Sequence, residues 1–93
     1  MNEQEFLIED LLGSRARVKI LKVLAINCEL NITSIVKKTR LNHTNVKKHL
    51  EFLEERSLVQ EKRFGRIKIF RYKIENIKAR SFKNFLEIWE NKC

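Results

Sequence analysis

Polar donors fall in two short clusters. His43, Thr44, Asn45, Lys47 and Lys48 lie within six consecutive residues, and Arg63, Arg66 and Lys68 lie within another six. An Asn amide can pair bidentately with adenine and a Lys can reach guanine O6 and N7, while other cations serve phosphate oxygens. Asn45 and Lys47 are therefore assigned to base edges, and Thr44 and Lys48 more to phosphate. The competing reading of each Lys is an ordinary solvated side chain.

Other chemistries find less material. Cys28 and Cys93 are far apart, no CxC or CxxC occurs, and His43 and His49 stand six apart on different sides of one expected helix. A metal site needs several thiolates or imidazoles around one ion, so none is expected. No Ser/His/Asp or Cys/His set and no Gly-rich phosphate loop can be assembled, which argues against an enzyme and against a bound cofactor. Cys28 reads as a small core hydrophobe.

The charge supports a polyanion partner. Twenty Lys and Arg face 12 Asp and Glu, for a net +8. Residues 1–14 carry −4, 15–50 carry +8, 51–57 carry −2, 58–74 carry +5 and 75–93 carry +1. Two basic blocks thus flank one acidic turn, and a fold that joins them would make a continuous positive face. A solvated Lys-rich surface is the alternative. Ninety-three residues, 43% hydrophobic, make one domain with a modest core. An acidic N-terminus, two Cys and no apolar run near ~20 residues predict an intracellular protein without a membrane span.

The donors need elements to hold them. Asn2 and Glu5 suggest a capping box for a helix over 3–12, with Leu7, Ile8, Leu11 and Leu12 as its stripe and Gly13 as its stop. Ser14 caps a second helix to about Asn27 or Cys28. Asn31 caps a short helix ending near Thr39. A turn at Arg40-Leu41-Asn42 follows, with Leu41 as an apolar plug. Asn42 caps a helix whose Val46, His49, Leu50 and Leu53 recur at i, i+3, i+4 and i+7. Two helices about a tight turn describe a helix-turn-helix. His49, on the apolar side, reads as core or half-buried.

Beyond Ser57 the period changes. Leu58–Phe64 and Ile67–Ile74 read as strands meeting at Gly65-Arg66, a type II′ hairpin. Phe70, Tyr72 and Ile74 would point inward. Ile67 and Ile69 leave the outer face less polar than a simple wing requires, consistent with a partner or a bulge. From about Asn76 to Lys92 the chain is helical, with Phe82, Phe85, Leu86 and Trp89 on one stripe that extends to Cys93. With Leu7 and Leu11 of the first helix, this stripe is expected to form a subunit interface; the alternative is closure of the monomer's own core.

The pattern over Asn31–Ile74 resembles winged helix-turn-helix transcription regulators of the multiple-antibiotic-resistance-regulator and arsenic-repressor-like groups. The resemblance rests on the capped Asn31-Ile32-Thr33-Ser34, on Leu41, and on Asn45-Val46-Lys47-Lys48-His49-Leu50. It continues through Leu53-Glu54-Glu55-Arg56-Ser57-Leu58-Val59 and Phe64-Gly65-Arg66. Two departures stand out: Ser57 replaces a frequent Gly at the helix end, and Phe64 replaces a common polar residue beside the wing Gly. Size, a Lys/Ile/Asn-rich composition and the terminal cysteine are also similar to small winged-helix proteins of crenarchaeal viruses. That likeness and the stripe position together raise a Cys93–Cys93 intersubunit disulfide, beside a Cys28–Cys93 bridge or a free thiol.

The resemblance implies a mainly α fold with a β-hairpin wing, a single domain over 1–93, and dimerisation through 1–13 and 76–93. It implies double-stranded DNA as partner, bound by a homodimer with recognition helices in successive major grooves. The wing arginines would lie on an adjacent minor groove or the backbone, and Arg15, Arg17 and Lys19 would touch backbone phosphates. A metal- or ligand-responsive repressor, a protein–protein adaptor and an architectural DNA-binding protein are the other functions this architecture could serve.

Overall fold

Three side-chain caps start the helices that matter most. Ser14 Oγ accepts from Arg17 N at 3.1 Å, Asn31 Oδ1 from Ser34 N at 2.8 Å, and Asn42 Oδ1 from Asn45 N at 2.8 Å. Each satisfies a backbone donor that the first helical turn would leave orphaned. In the computed structural model, which describes residues 6–90, the elements are α1 (Ile8–Leu12), α2 (Arg15–Asn27), β1 (Glu29–Asn31), α3 (Ile32–Thr39), α4 (His43–Glu55), β2 (Val59–Phe64), β3 (Ile67–Tyr72) and α5 (Ile77–Glu90). Asn76 caps α5 by accepting from Lys78 N and Ala79 N.

The helical core is an apolar seam. Ile20, Leu21 and Leu24 of α2 meet Ile35 of α3 and Val46, Leu50 and Leu53 of α4, all essentially without exposure. Phe70 and Tyr72 of β3 close it from the sheet side, and Ala79 and Leu86 from α5. At the end of α4, Leu58 N donates to Leu53 O and Ser57 N to Glu54 O, a Schellman closure with Ser57 at φ 63. Leu53 and Leu58, both buried, supply its hydrophobic contact. Ser57 thus occupies the left-handed position that Gly usually fills, at a cost on the order of 1 kcal/mol.

Four local expectations change. The first helix starts at Ile8, where the Asp10 carboxylate accepts from Leu7 N at 3.0 Å; the Asn2/Glu5 capping box lies outside the described residues. Gly13 keeps a right-handed φ of −71, and its lack of a side chain matters through proximity: a Cβ would stand 2.6 Å from Glu9 O. Cys28 is exposed and free, not a core group, because φ 72 reverses the chain at the end of α2 and turns the thiol outward. Ile74 is 41% exposed because the alternating strand ends at Tyr72.

The sheet has a strand that periodicity did not reveal. Its order is β1-β3-β2, antiparallel throughout. Three residues are too short to display a period, so β1 escapes pattern reading. Its presence accounts for Ile69, which sits between Asn31 of β1 and Lys62 of β2 and is half-buried there. The hairpin is as expected: Phe64 pairs with Ile67, and of the two turn residues only Gly65 carries a positive φ, 61.

Tyr72 joins sheet to terminal helix. Its buried hydroxyl donates to the Ala79 carbonyl oxygen, and burial pushes its ionisation well above the ordinary phenol range. The unfolded chain releases this proton near pH 10 while the folded chain keeps it, so stability falls as pH rises past that point. The slope from this group approaches 1.4 kcal/mol per pH unit. Denaturant titrations between pH 9 and pH 11 should show this loss in the wild type and a shallower one in Tyr72→Phe.

Candidate nucleic-acid interface

Burial of Val46, Leu50 and Leu53 fixes the rotation of α4 about its axis. With that stripe inward, His43, Thr44, Asn45, Lys47, Lys48 and Glu51 are all exposed. The turn before it is fixed by side-chain and backbone contacts. The fully buried Thr39 hydroxyl donates to Ile35 O at 2.7 Å, Arg40 takes the left-handed φ of 62, and Leu41 is half-buried against the core. Backbone N–H groups at the α4 N-terminus and the helix dipole add positive potential where Thr44 and Asn45 sit.

The wing lies beside this helix. A groove of about 170 Å³ runs between them, lined by His43, Lys47, Glu51 and Glu54 from α4 and by Glu61 and Lys68 from the hairpin. The Glu54 carboxylate accepts from Glu61 N at 3.2 Å and so fixes the hairpin base to α4. Sequence reasoning missed this tie, since a seven-residue separation between a helix and a strand carries no signal. Glu61 also stands 3.7 Å from Arg63 and 3.9 Å from Lys68.

The expected donors divide accordingly. Lys47 and Lys68 share the groove, Thr44 and Lys48 lie on the outer surface of α4, and Arg63 and Arg66 are exposed around the wing turn. Lys47, Lys48 and Arg66 form no ion pair among the described residues, whereas Lys62 is engaged by Glu29 at 2.9 Å. Arg15 and Lys19 are exposed. Arg17 is not available as expected: its guanidinium packs 3.7 Å from the centre of the Phe52 ring and donates to Asp10 O. His49 is half-buried. Desolvation, then Arg17 and Lys48, lower its pKa from 6.5, which keeps it neutral at pH 7.

The expected interface stripe splits. Leu11 and Leu86 are buried in the chain's own core, packed there by α2, and offer almost no surface to a partner. Leu7 (43%), Phe85 (48%) and Trp89 (74%) are exposed, and Phe82 is partly buried. Phe85 and Trp89 stack with ring centres 5.5 Å apart. Between α1 and α5 runs an open apolar groove of about 470 Å³, with Phe6, Leu7, Leu12, Ile77, Phe82 and Phe85 in its walls. Cys93 lies outside the described residues.

The sequence profile of "Bacterial regulatory protein, arsR family" matches residues 14–61, from the cap of α2 to the first part of the wing. The chain belongs to the arsR family. No curated protein matches it. Among solved structures, the arsR-family chain is similar to the homodimeric winged helix-turn-helix DNA-binding domain of a Mycobacterium bovis protein. That match has 22% identity and a TM-score of 0.69, covering 87% of this chain and 72% of that one. It is similar to HlyU of Vibrio cholerae at 17% identity and a TM-score of 0.75, covering 88% and 86%. The transcriptional repressor BigR of Xylella fastidiosa gives 18%, a TM-score of 0.71, and coverage of 84% and 76%. The winged helix-turn-helix fold is thereby shown, with one strand more than the hairpin alone. Among the described residues of this arsR-family protein, no three His, Cys, Asp or Glu gather to hold a metal, and no helix is long and apolar enough to cross a membrane.

The N-terminus of α4 is held by one side-chain cap, Asn42. Asn42→Ala removes the acceptor for Asn45 N and should destabilise the protein by about 1 kcal/mol. Urea unfolding followed by circular dichroism measures the change.

Proposed function

We propose that the chain acts as a homodimeric, sequence-specific double-stranded DNA-binding regulator, with the whole of 1–93 forming one binding unit and no catalytic role. The observation that carries this reading is the shared groove of α4 and the wing, with Lys47 and Lys68 across it and, outside it, Lys48 and Arg66, which form no ion pair among the described residues. In it α4 enters the major groove, where Asn45 and Lys47 read base edges while Thr44, Lys48 and the side of His43 contact the backbone. Arg63, Arg66 and Lys68 track the neighbouring groove or its phosphates. Glu51, Glu54 and Glu61 line the same groove and repel phosphate within it, which favours contact at its outer edges.

The apolar α1–α5 groove supports the dimer. Leu7, Phe82 and Phe85 line the groove and the exposed Trp89 stacks on Phe85 beside it, while Leu11 closes it from beneath and Leu86 lies buried in the core. Burial of two aromatic rings and their neighbours in each copy offers several kcal/mol to association. The homodimeric Mycobacterium bovis domain is consistent with it.

DNA binding and dimerisation are tested separately. Duplex binding should weaken steeply with salt, with a log–log slope reflecting the ~6–10 phosphates a dimer neutralises. Selection from a random duplex pool should enrich a near-palindrome. Lys48→Ala and Arg66→Ala should weaken all sequences alike, and Asn45→Ala should relax one base position by about 1–3 kcal/mol. An affinity indifferent to salt would remove the electrostatic basis of the proposal. Sedimentation should show a dimer for the wild type and a monomer for Phe85→Glu, with the monomer binding duplex DNA more weakly.

A further inference from the structure

The wing ends in two apolar side chains that its fold does not use. Phe64 and Ile67 are direct cross-strand partners on either side of the Gly65-Arg66 turn, so both project from the same face of the hairpin. They are 57% and 56% exposed, and neither packs against the hydrophobic core. The opposite face carries Glu61, Lys68 and Phe70 toward α4. Cations lie close to the pair: Arg66 sits in the turn and the Lys62 ammonium, on the same face, lies 5.7 Å from the centre of the Phe64 ring, while Arg63 and Lys68 alternate to the opposite face beside Glu61.

Exposed apolar area costs solubility and is usually trimmed from a hairpin tip. Here Arg66 of the turn and Lys62 of the same face stand beside it, with Arg63 and Lys68 across the thickness of the hairpin. A protein partner with an apolar pocket would have to be acidic at its rim, and nothing on this face beyond that charge suggests one. Duplex DNA offers both features at once, phosphates along the groove edges and stacked bases between them. Proteins that lie in the minor groove insert Phe, Leu or Ile between base steps and kink the duplex by 20–90°. The pyrimidine–purine steps yield most easily.

We infer that the wing is a wedge: Phe64, backed by Ile67, enters the minor groove and partly unstacks a base step while Arg63, Arg66 and Lys68 hold the flanking phosphates, so that the bound duplex is bent. This rests on the DNA-binding reading above and extends it from contact to deformation. The two-residue turn makes the tip narrow. The Glu54–Glu61 bond at the hairpin base and the Arg71–Gln60 bonds at 2.8 and 3.1 Å across it hold the hairpin against the load of bending.

The experiment uses the full-length protein and two DNA probes. One is a linear duplex shorter than the ~150 bp persistence length, closed into circles by ligase. The other is a short duplex carrying 2-aminopurine at a central TA step, whose fluorescence rises on unstacking. The wild type should raise the cyclisation rate severalfold and brighten the 2-aminopurine. Phe64→Ala should bring both signals close to those of DNA alone while keeping the salt dependence of binding, and Phe64→Leu should retain much of the bend. Because Phe64 is exposed, the variant should melt like the wild type. A wild type that binds but leaves cyclisation and fluorescence unchanged overturns the wedge and leaves the DNA-binding reading standing. Equal bending by Phe64→Ala also overturns it. Absence of duplex binding at every salt concentration removes both. Partition of the wild type onto anionic vesicles without DNA bending, lost in Phe64→Ala, would assign the tip to a membrane and overturn the wedge.

Discussion

The burial of one stripe on α4 governs the rest of the molecule. Val46, Leu50 and Leu53 have almost no exposure, and they lock against Ile20, Leu21 and Leu24 of α2 and Ile35 of α3. A helix held along such a seam cannot rotate without exposing three aliphatic side chains, at about 2 kcal/mol each. The outward positions therefore follow from the inward ones. Thr44, Asn45, Lys47 and Lys48 are on the surface because residues 46, 50 and 53 are not.

The wing takes its position from the same seam by a shorter route. The Schellman closure at Ser57 reverses the chain directly after α4, and Leu58 and Val59, both buried, bring β2 back along the core. Glu54 then accepts from Glu61 N, so helix and hairpin are joined at two points. Strand β1 stiffens the other side through its pairing with β3. Its Glu29 engages Lys62, and Arg71 reaches both Gln60 and Glu75, whose carboxyl it holds down to about 2. The hairpin base is thus well anchored while its tip, from Arg63 to Ile67, stays exposed.

Lys47 and Lys48 of α4 and Arg66 of the wing turn form no ion pair among the described residues. Exposed Leu7, Leu12, Ile77 and Phe85 collect between α1 and α5. Arg17 falls between the two regions and belongs to neither, because Phe52 and the Asp10 carbonyl engage its guanidinium. Arg56 lies 4.1 Å from the centre of the same Phe52 ring, so that this part of the surface is closed by cation–π contacts.

Local signals in the sequence determined a good deal. The caps Ser14, Asn31 and Asn42, the turn at Arg40-Leu41-Asn42, the period of Val46, Leu50 and Leu53 and the Gly65 hairpin each encode structure within a few residues, and each is found as read. Tertiary structure decided whatever depended on distant neighbours. β1 is too short to carry a period and exists only because β3 offers it an edge. The outward turn of Cys28 follows from a backbone reversal that composition does not disclose. Leu11 and Leu86 share a sequence stripe with exposed residues, yet α2 covers them and leaves Phe85 and Trp89 bare. Periodicity identifies a helical face, but only the packing of other helices against it determines which part of that face is buried.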